Sequence, residues 1–471
     1  MPKTATSDFV ETLHAALPEG TFRVQKTGEL DDPRGRHQGL SAIVAMPRTV
    51  LDVSTIVRLC HAADVGVVPL GGGTGLVLGQ VAYEGPAPVV ISLERMTAVR
   101  AVYPTENAMV VEAGAILHDV QLAAEAADRL FPLSLASEGT CRIGGNLATN
   151  AGGLNVLRYG NTRDLCLGLE VVMADGTIWN GLKRLRKDNT GYDLKNLMIG
   201  SEGTLGIITA ATLRLFPRPN HEAAAIFVVN DPQGAIDLLA LAQATVGEGI
   251  SAFEMMSGVG LDFLTETMPG VRQPFETKPD WSVLIDLGLS GDTDPQEMLL
   301  TLFEKAQAAG LVSDGVISQS ETQRQEFWSV RENIPIGNRN IGSISSHDIS
   351  IPLSRIPDFI PEGIAKLQAL GDVRINCFGH LGDGNLHYNV FPAKGRDRND
   401  FDDIRAAVKA CVHDLTHAYD GSVSAEHGVG RLKVSDLERY QDPVKLAAMR
   451  SIKQALDPKG ILNPGAVLRP I

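Results

Sequence analysis

The chain has 471 residues, including 48 glycines, and 42 basic against 56 acidic residues give it a formal net charge of −14 at pH 7. This length predicts roughly two or three domains, and the 44% of hydrophobic residues are enough for a core, which excludes a disordered or fibrous chain. The acidic balance argues against nucleic acid or an anionic membrane as a partner, because either would need a basic surface.

The first half of the chain alternates short apolar runs with glycines. Apolar residues at helical spacing predict an amphipathic helix over 49–63, and the run at 65–70 predicts a buried strand. Further strands are expected at 89–93, 108–114 and 169–176, with a hairpin turn at Asp175-Gly176.

A domain boundary is expected at Pro217 and Pro219, after which strands and helices follow in a different rhythm. Strands are predicted at 224–230, 250–256, 281–288 and 316–319, and helices at 231–246, 295–309 and from Pro443 onward. This order predicts an α+β fold whose second part has a mostly antiparallel sheet with helices on one face. The expected domains are 1–217, 218–425 and a C-terminal segment, 426–471.

The cysteine pattern and the apolar runs bear on the cellular compartment. Five scattered cysteines without a CxxC pair are typical of reduced, buried thiols. No stretch reaches the roughly 18 apolar residues of a membrane span, and the N-terminus has no apolar signal region. We therefore expect a soluble, cytoplasmic protein.

Three glycine-rich segments stand out at 69–79, 137–153 and 200–209. Glycine allows the backbone to approach phosphate oxygens closely and to direct successive N–H groups at them. Any one segment could be an ordinary turn, and none has the spacing of a Rossmann or Walker motif. Together they favour one long ligand with a pyrophosphate and a flat ring system.

A second group of polar residues lies near the C-terminal end. His380 and His387 are seven residues apart in a strand-like sequence, so the intervening GDG must turn the chain if the two imidazoles are to meet. Two imidazoles and one carboxylate, for which Glu426 is the candidate, form an open metal site, although histidines of this kind are often plain core or surface residues. Arg331, late in a helix before Pro335, is either a solvated side chain or the partner of an anionic substrate.

With these motifs in hand, the chain resembles the FAD-linked oxidases of the vanillyl-alcohol oxidase and p-cresol methylhydroxylase type, and among them the D-2-hydroxy-acid dehydrogenases. The resemblance runs from about residue 40 to the end and is densest at 152–176 and 185–209. It implies an FAD-binding domain over 1–217, a substrate (cap) domain over 218–425 that carries the histidine hairpin, and a segment over 426–471 that returns to the flavin.

The resemblance also implies which residues bind the cofactor. FAD is expected to be noncovalent, because the phosphate loop offers neither histidine nor cysteine. The implied FAD-binding residues are Pro69, Gly71, Gly72, Gly73, Thr74, Gly75, Leu76, Ser137, Glu138, Gly139, Thr140, Gly144, Gly145, Asn146, Ala148, Thr149, Asn150, Gly152, Glu202, Gly203, Gly206, Ile207 and Asn463.

In the same way, His380, His387 and Glu426 match the ligands of a divalent metal, commonly zinc. His427 matches the catalytic base and a substrate contact, and Arg331 and Asn389 match substrate-contacting positions. The implied reaction is the oxidation of a D-2-hydroxy acid to the 2-oxo acid by hydride transfer to flavin N5.

Two departures from the family pattern bear on the substrate. Members that act on D-2-hydroxyglutarate are expected to have a threonine and a lysine where this chain has Pro335 and Ser346. Without them a second carboxylate lacks its obvious partners, so D-lactate is favoured over D-2-hydroxyglutarate, although His347 or Arg339 could substitute.

Several alternatives remain open at the level of sequence. The chain could oxidise another alcohol, such as glycolate or a lactone, or could be a non-catalytic flavin-fold subunit of an oxidase complex. The electron acceptor could be a quinone, an electron-transfer flavoprotein, a cytochrome or oxygen, and a homodimer is possible.

Overall fold

The computed structural model describes residues 2–33 and 35–470, which form two compact units. Unit 1 contains the chain up to Gly152, the stretch Gly160–Pro217 and the chain from Glu426 onward. Unit 2 contains Gly153–Tyr159 and Arg218–Ala425. No helix among the described residues is long and apolar enough to cross a membrane.

The strands are β1 (Phe22–Arg23), β2 (Ile43–Ala45), β3 (Val67–Leu70), β4 (Val89–Ser92), β5 (Val99–Tyr103), β6 (Ala108–Glu112), β7 (Cys166–Val172), β8 (Ile178–Gly181), β9 (Ile207–Arg214), β10 (His221–Val229), β11 (Ile250–Ser257), β12 (Trp281–Leu289), β13 (Val312–Ile317), β14 (Asp348–Ser350), β15 (Val373–His380) and β16 (Asn385–Pro392).

The α-helices are α1 (Ser7–Ala16), α2 (Val50–Ala63), α3 (Leu117–Glu125), α4 (Ile143–Thr149), α5 (Val156–Tyr159), α6 (Leu194–Met198), α7 (Pro232–Val246), α8 (Gly258–Thr267), α9 (Pro295–Ala308), α10 (Glu321–Ile341), α11 (Ile356–Gln368), α12 (Arg405–Ala418), α13 (Val434–Tyr440) and α14 (Pro443–Leu456).

The described residues of unit 1 form two sheets. The first has the order β1-β2-β4-β3, with β4 parallel to both β2 and β3. The second is antiparallel with the order β5-β6-β9-β7-β8. Helix α2 forms where the sequence predicts it, because Thr49 and Asp52 build a reciprocal capping box and the apolar stripe of the helix is buried. The expected hairpin turn at Asp175-Gly176 is confirmed between β7 and β8.

Unit 2 is built on one antiparallel sheet of the order β13-β10-β12-β11-β15-β16-β14. The predicted α+β class and mostly antiparallel sheet are confirmed, but helices cover both faces rather than one. Strand residues alternate between two cores, so Ala225 and Phe227 pack with α7, α9, α11 and α12, whereas Ala224 and Ile226 pack with α8 and α10. We call the face of the sheet that packs against α8 and α10 the site face.

Helix α10 differs from its prediction in one respect. The helix does not end before Pro335 but continues to Ile341 with Pro335 inside it. A proline in a helix interior removes one backbone hydrogen bond, here the one that the carbonyl of Arg331 would accept. The buried positions Phe327, Val330 and Ile334 hold the helix against the sheet and compensate for that loss.

Candidate active site

In unit 1 the three glycine-rich segments lie together. A Cβ atom added to Gly72 would lie 2.3 Å from the Thr140 carbonyl oxygen, and one added to Gly203 would lie 2.5 Å from Pro69 Cγ. These approaches join the loop after β3 to the turn before α4 and to the loop before β9. A Cβ on Gly73, Gly139 or Gly145 would meet nothing within 4 Å, so part of this backbone is open to a ligand. The arrangement suits a phosphate-bearing cofactor.

The residues implied for FAD fall on these elements as follows. Pro69 lies in β3, Gly71 to Leu76 in the loop after it, Ser137 to Thr140 in the turn before α4, Gly144 to Thr149 on α4, Asn150 and Gly152 just after it, Glu202, Gly203 and Gly206 before β9, Ile207 at the start of β9, and Asn463 in the C-terminal segment.

The carboxylate of Glu202 holds the segment that follows His427. Its two oxygens accept hydrogen bonds of 2.7 Å from the backbone N–H groups of Val429 and Gly430. Burial raises the pKa of Glu202, and these two hydrogen bonds act in the opposite direction. Gly428 has a φ of +78°, and a Cβ there would lie 2.7 Å from Glu202 Oε1. Glycine is therefore required beside His427.

Asn463 and Arg431 complete this part of unit 1. The Asn463 amide donates to the carbonyls of Gly79 and Glu202. Arg431 donates to the carbonyls of Leu78, Gly79 and Pro464 and to Asn463 Oδ1. These bonds tie the C-terminal segment to two of the glycine-rich segments. Arg431 was not predicted from the sequence, because it lies in a loop without a recognisable motif.

In unit 2 the hairpin predicted between the two histidines is present. His380 ends β15, a short 3₁₀ turn covers Leu381–Asp383, and β16 carries His387 back along its neighbour. The two imidazole ring centroids are 5.6 Å apart. The neighbours of His387 in β16, Leu386 and Tyr388, point into the core on the opposite face of the sheet. Successive strand residues point to opposite faces, so His387 lies on the site face.

Glu254 of β11 joins His380 to Arg331 and was not identified from the sequence. Its Oε2 accepts a hydrogen bond of 2.8 Å from Arg331 Nε, and its Oε1 lies 2.7 Å from His380 Nδ1. Burial would raise the pKa of this carboxyl, but His380 and Arg331 outweigh burial and lower the pKa to about 2. A charged residue inside the apolar run at 250–256 was the available signal.

Because an ionised Glu254 can only accept, His380 donates from Nδ1, and in the neutral imidazole Nε2 then carries the lone pair. That is the tautomer a metal ligand needs, with its second nitrogen held by a carboxylate. The two imidazoles on this hairpin therefore have the donor chemistry of a divalent-cation site. Arg331 uses Nε for Glu254, which leaves its two terminal nitrogens to bind a carboxylate.

Asn389 is buried on the same face, two residues after His387. Its Oδ1 accepts a hydrogen bond of 2.9 Å from the His347 backbone N–H, so its amide nitrogen is the donor it can offer to an anion. The His347 ring lies 5.1 Å from that of His413 on α12, which packs on the opposite face of the sheet. His347 therefore cannot serve as a substitute partner for a second carboxylate on the site face. Arg339 is exposed on α10.

Two parts of the chain match known protein families. Residues 41–181 match the family described as FAD binding domain, and residues 218–467 match the family described as FAD linked oxidases, C-terminal domain. The first part of the chain therefore matches an FAD-binding family and the second part an FAD-linked oxidase family.

The curated relatives are similar over most of their length. The chain is 37% identical to the mitochondrial D-2-hydroxyglutarate dehydrogenase of Arabidopsis thaliana over 92% of this chain and 76% of the relative. It is 37% identical to D-2-hydroxyglutarate dehydrogenase of Xanthomonas citri pv. viticola over 90% of this chain and 88% of the relative.

Solved structures confirm the fold. The structure of p-cresol methylhydroxylase with substrate bound has a TM-score of 0.74 at 16% identity and covers 100% of this chain and 99% of that one. Alkyldihydroxyacetonephosphate synthase has a TM-score of 0.72 at 17% identity, over 98% of this chain and 85% of that one. The chain has the fold of p-cresol methylhydroxylase, and with matches over both parts of its length it belongs to the FAD-linked oxidases, in the D-2-hydroxy-acid dehydrogenase family.

Proposed function

We propose that this enzyme oxidises a small D-2-hydroxy acid to the corresponding 2-oxo acid, with a divalent cation, zinc first among the candidates, as a second cofactor beside FAD. The observation that carries the proposal is the arrangement around Glu254, where one buried carboxylate orients both an imidazole and a guanidinium on the site face. A cation ligand and a carboxylate-binding arginine held by one residue suit a substrate that offers a hydroxyl next to a carboxylate.

The proposed cation ligands are His380, His387 and Glu426. The fixed tautomer of His380 and the proximity of the two rings support the histidines. Glu426 directly follows Ala425, whose backbone N–H donates to the carbonyl of Asp348, and Asp348 pairs with His387 across β14 and β16. This connection supports Glu426 as the third ligand. When bound, the cation would supply Lewis acidity that lowers the pKa of the substrate hydroxyl.

The remaining residues have the roles of binding and proton transfer. Arg331 would bind the substrate carboxylate through its terminal nitrogens, and the Asn389 amide would donate a further hydrogen bond. An imidazole nitrogen of His427 would accept the proton of the substrate hydroxyl. FAD supplies the acceptor for the hydride from Cα. We propose that FAD is noncovalent, since the loop after β3 offers neither histidine nor cysteine.

The identity of the acid is the finer part of the proposal. Pro335 and Ser346 replace the expected partners of a distal carboxylate, and Ser346 is exposed and hydrogen-bonded to Ser343. A buried carboxylate without partners costs about 3–5 kcal/mol, which favours D-lactate. The second candidate is D-2-hydroxyglutarate, which the names of the curated relatives favour. Cytoplasmic location, a homodimer and the choice of electron acceptor stay predictions.

The test is anaerobic reduction of the bound flavin by D and L forms of lactate and 2-hydroxyglutarate, before and after removal of metal with a chelator. We expect bleaching by D-lactate, loss of the rate on chelation and recovery with Zn²⁺. Full activity in the metal-free protein would contradict the proposed role of the cation. It would favour oxidation of another alcohol, such as glycolate or a lactone. No reduction by any 2-hydroxy acid would favour a non-catalytic flavin-fold subunit.

The double variant P335T/S346K tests the assignment of substrate. It restores the two side chains expected for D-2-hydroxyglutarate, so its KM for that acid should fall relative to the wild type. P361A is a matched control, because Pro361 is also an exposed proline inside a helix, α11. A wild type that already prefers D-2-hydroxyglutarate over D-lactate would contradict the reading of Pro335 and Ser346.

A further inference from the structure

Helix α10 is tied to the sheet by polar contacts that recur every seven residues. Arg324 pairs with Asp286 of β12, Arg331 with Glu254 of β11, and Asn338 Oδ1 accepts from the Asn376 amide of β15. Seven residues are two helical turns, so the three side chains share one face of the helix. The strands β12, β11 and β15 are neighbours in the sheet, and the helix crosses them in that order.

At the first contact, Asp286 binds two side chains of α10. Asp286 accepts from Arg324 Nε and Nη2 at 2.9 and 3.1 Å, and from Trp328 Nε1 at 2.6 Å. Both Asp286 oxygens are used within the α10–β12 contact. Asp286 and Glu254 are thus comparable buried carboxylates on adjacent strands, each bound to an arginine of the same helix.

The middle contact differs, because Glu254 uses its second oxygen for a residue outside the helix. Glu254 lies opposite His380 in the antiparallel pairing of β11 and β15, and its Oε1 meets His380 Nδ1. One side chain therefore fixes the Nε of Arg331 and the tautomer of His380. Burial excludes water as a replacement partner for either donor, since the Glu254 side chain is only 1% exposed.

We propose that Glu254 is a positioning residue that couples cation binding at His380 to substrate-carboxylate binding at Arg331. This inference rests on the proposed function and goes beyond it, because that function gives Glu254 no contact of its own with the substrate or the cation and Glu254 acts through Arg331 and His380. A carboxylate offers two acceptors for the two N–H donors, whereas the isosteric amide of glutamine offers one. In Glu254→Gln, either Arg331 Nε loses its acceptor or the amide donates to His380 Nδ1, which moves the imidazole proton to Nε2.

The experiment compares Glu254→Gln with the matched control Asp286→Asn. Metal-free protein is titrated with Zn²⁺ alone against a chromophoric chelator, and steady-state kinetics are measured with D-lactate at saturating Zn²⁺. In Glu254→Gln the Zn²⁺ affinity should fall about 10–100-fold, and the KM should rise. In Asp286→Asn, which changes a buried carboxylate on the same helix–sheet contact, Zn²⁺ affinity and KM should stay near the wild-type values. Circular dichroism identifies variants that do not fold.

The outcomes separate this inference from the proposed function. His380→Ala is measured alongside, and a loss of Zn²⁺ affinity there with a wild-type affinity in folded Glu254→Gln would overturn the role of Glu254 alone. Unchanged Zn²⁺ affinity in His380→Ala would overturn the proposed cation site itself. Equal losses in Glu254→Gln and Asp286→Asn would show that Glu254 acts only through the general anchoring of α10, and would also overturn the inference. If Glu254→Gln does not fold, Glu254→Asp takes its place, and the same loss is expected because the shorter side chain cannot reach both donors.

Discussion

Two buried glutamates, one in each unit, are bound in different ways. Glu254 is bound by the side chains of His380 and Arg331, whereas Glu202 is bound by two backbone N–H groups of the segment after His427. The side chains that bind Glu254 can be replaced by mutation. The backbone N–H groups that bind Glu202 depend instead on the path of the chain. The glycine at position 428 is therefore as much a part of the Glu202 contact as the carboxylate itself.

Gly428→Ala should test that dependence. The added Cβ would lie 2.7 Å from Glu202 Oε1, at a φ of +78° that costs alanine about 1–2 kcal/mol by itself. We expect lower stability in urea and a reduced kcat, because His427 precedes the displaced segment. Gly460→Ala is the control, since Gly460 has a φ of +64° but no atom within 4 Å of its Cβ. Equal kcat in the two variants would contradict a role for the Glu202 contact.

At the level of single residues, the sequence predicted a local turn but not a long-range contact. The turn that brings His380 and His387 together could be predicted from their spacing and the intervening GDG, because only a reversal of the chain lets the imidazoles meet. Glu254 lies 126 positions before His380, and only the pairing of β11 with β15 makes them neighbours. Such long-range contacts leave no local pattern beyond one charge in an apolar strand.

At the scale of elements, periodicity predicted helices and strands well where one face is buried, as in α2, α7, α9, β11 and β12. It predicted the end of α10 wrongly, because proline is a local signal and the packing of the apolar residues around it is not. The helices on both faces of the unit 2 sheet were also not predicted. Apolar residues on both faces of a strand indicate that both faces of the sheet are covered. They do not indicate which elements cover them.

Pro335→Ala should stabilise unit 2. Alanine restores the backbone N–H that the Arg331 carbonyl lacks, and proline in a helix interior costs up to about 3 kcal/mol relative to alanine. The free energy of unfolding, measured in urea, should rise by about 2 kcal/mol. The gain is smaller than the full cost of the proline because proline also lowers the entropy of the unfolded chain. Pro361→Ala in α11 should gain a similar amount. A loss of stability in Pro335→Ala alone would show that the proline is required by the local path of α10.

At the scale of the whole molecule, the cysteines report on folding in both units. All five are free thiols, and four of them, Cys60, Cys141, Cys166 and Cys377, are buried. Burial raises the pKa of Cys60 and of Cys166 to about 12 and that of Cys377 further still. The reactive thiolate is therefore rare at these sites at pH 8.

A thiol reagent at pH 8 should accordingly label one cysteine of the native protein rapidly, the partly exposed Cys411. All five should react after denaturation in urea. Cys411→Ser should remove the rapid phase and leave the slow labelling unchanged. A rapid phase of two or more thiols in the native wild type would contradict the burial of the other four.

Unit 1 is assembled from three separate stretches of chain, so its integrity depends on contacts that join the last stretch to the others. Arg431 makes two such hydrogen bonds, to the carbonyls of Leu78 and Gly79, and two more within its own stretch, to Asn463 and Pro464. Burial lowers its pKa to about 10, which still leaves the guanidinium charged at neutral pH. The planar fork of arginine reaches all four acceptors, whereas the single ammonium of lysine cannot span them.

Arg431→Lys should therefore keep the charge but lose most of the contact. We expect the free energy of unfolding, measured in urea, to fall by about 1.5–3 kcal/mol. The reason is that the oxygens that accept from Arg431 lose their charge-assisted hydrogen bonds. The affinity for FAD, measured by quenching of flavin fluorescence, should fall in parallel, since the loop after β3 is held by the same bonds. Arg469→Lys, a surface arginine of the same stretch paired with Glu438, should change neither quantity. Normal FAD affinity in a destabilised Arg431→Lys protein would show that the glycine-rich segments keep their arrangement without the C-terminal stretch.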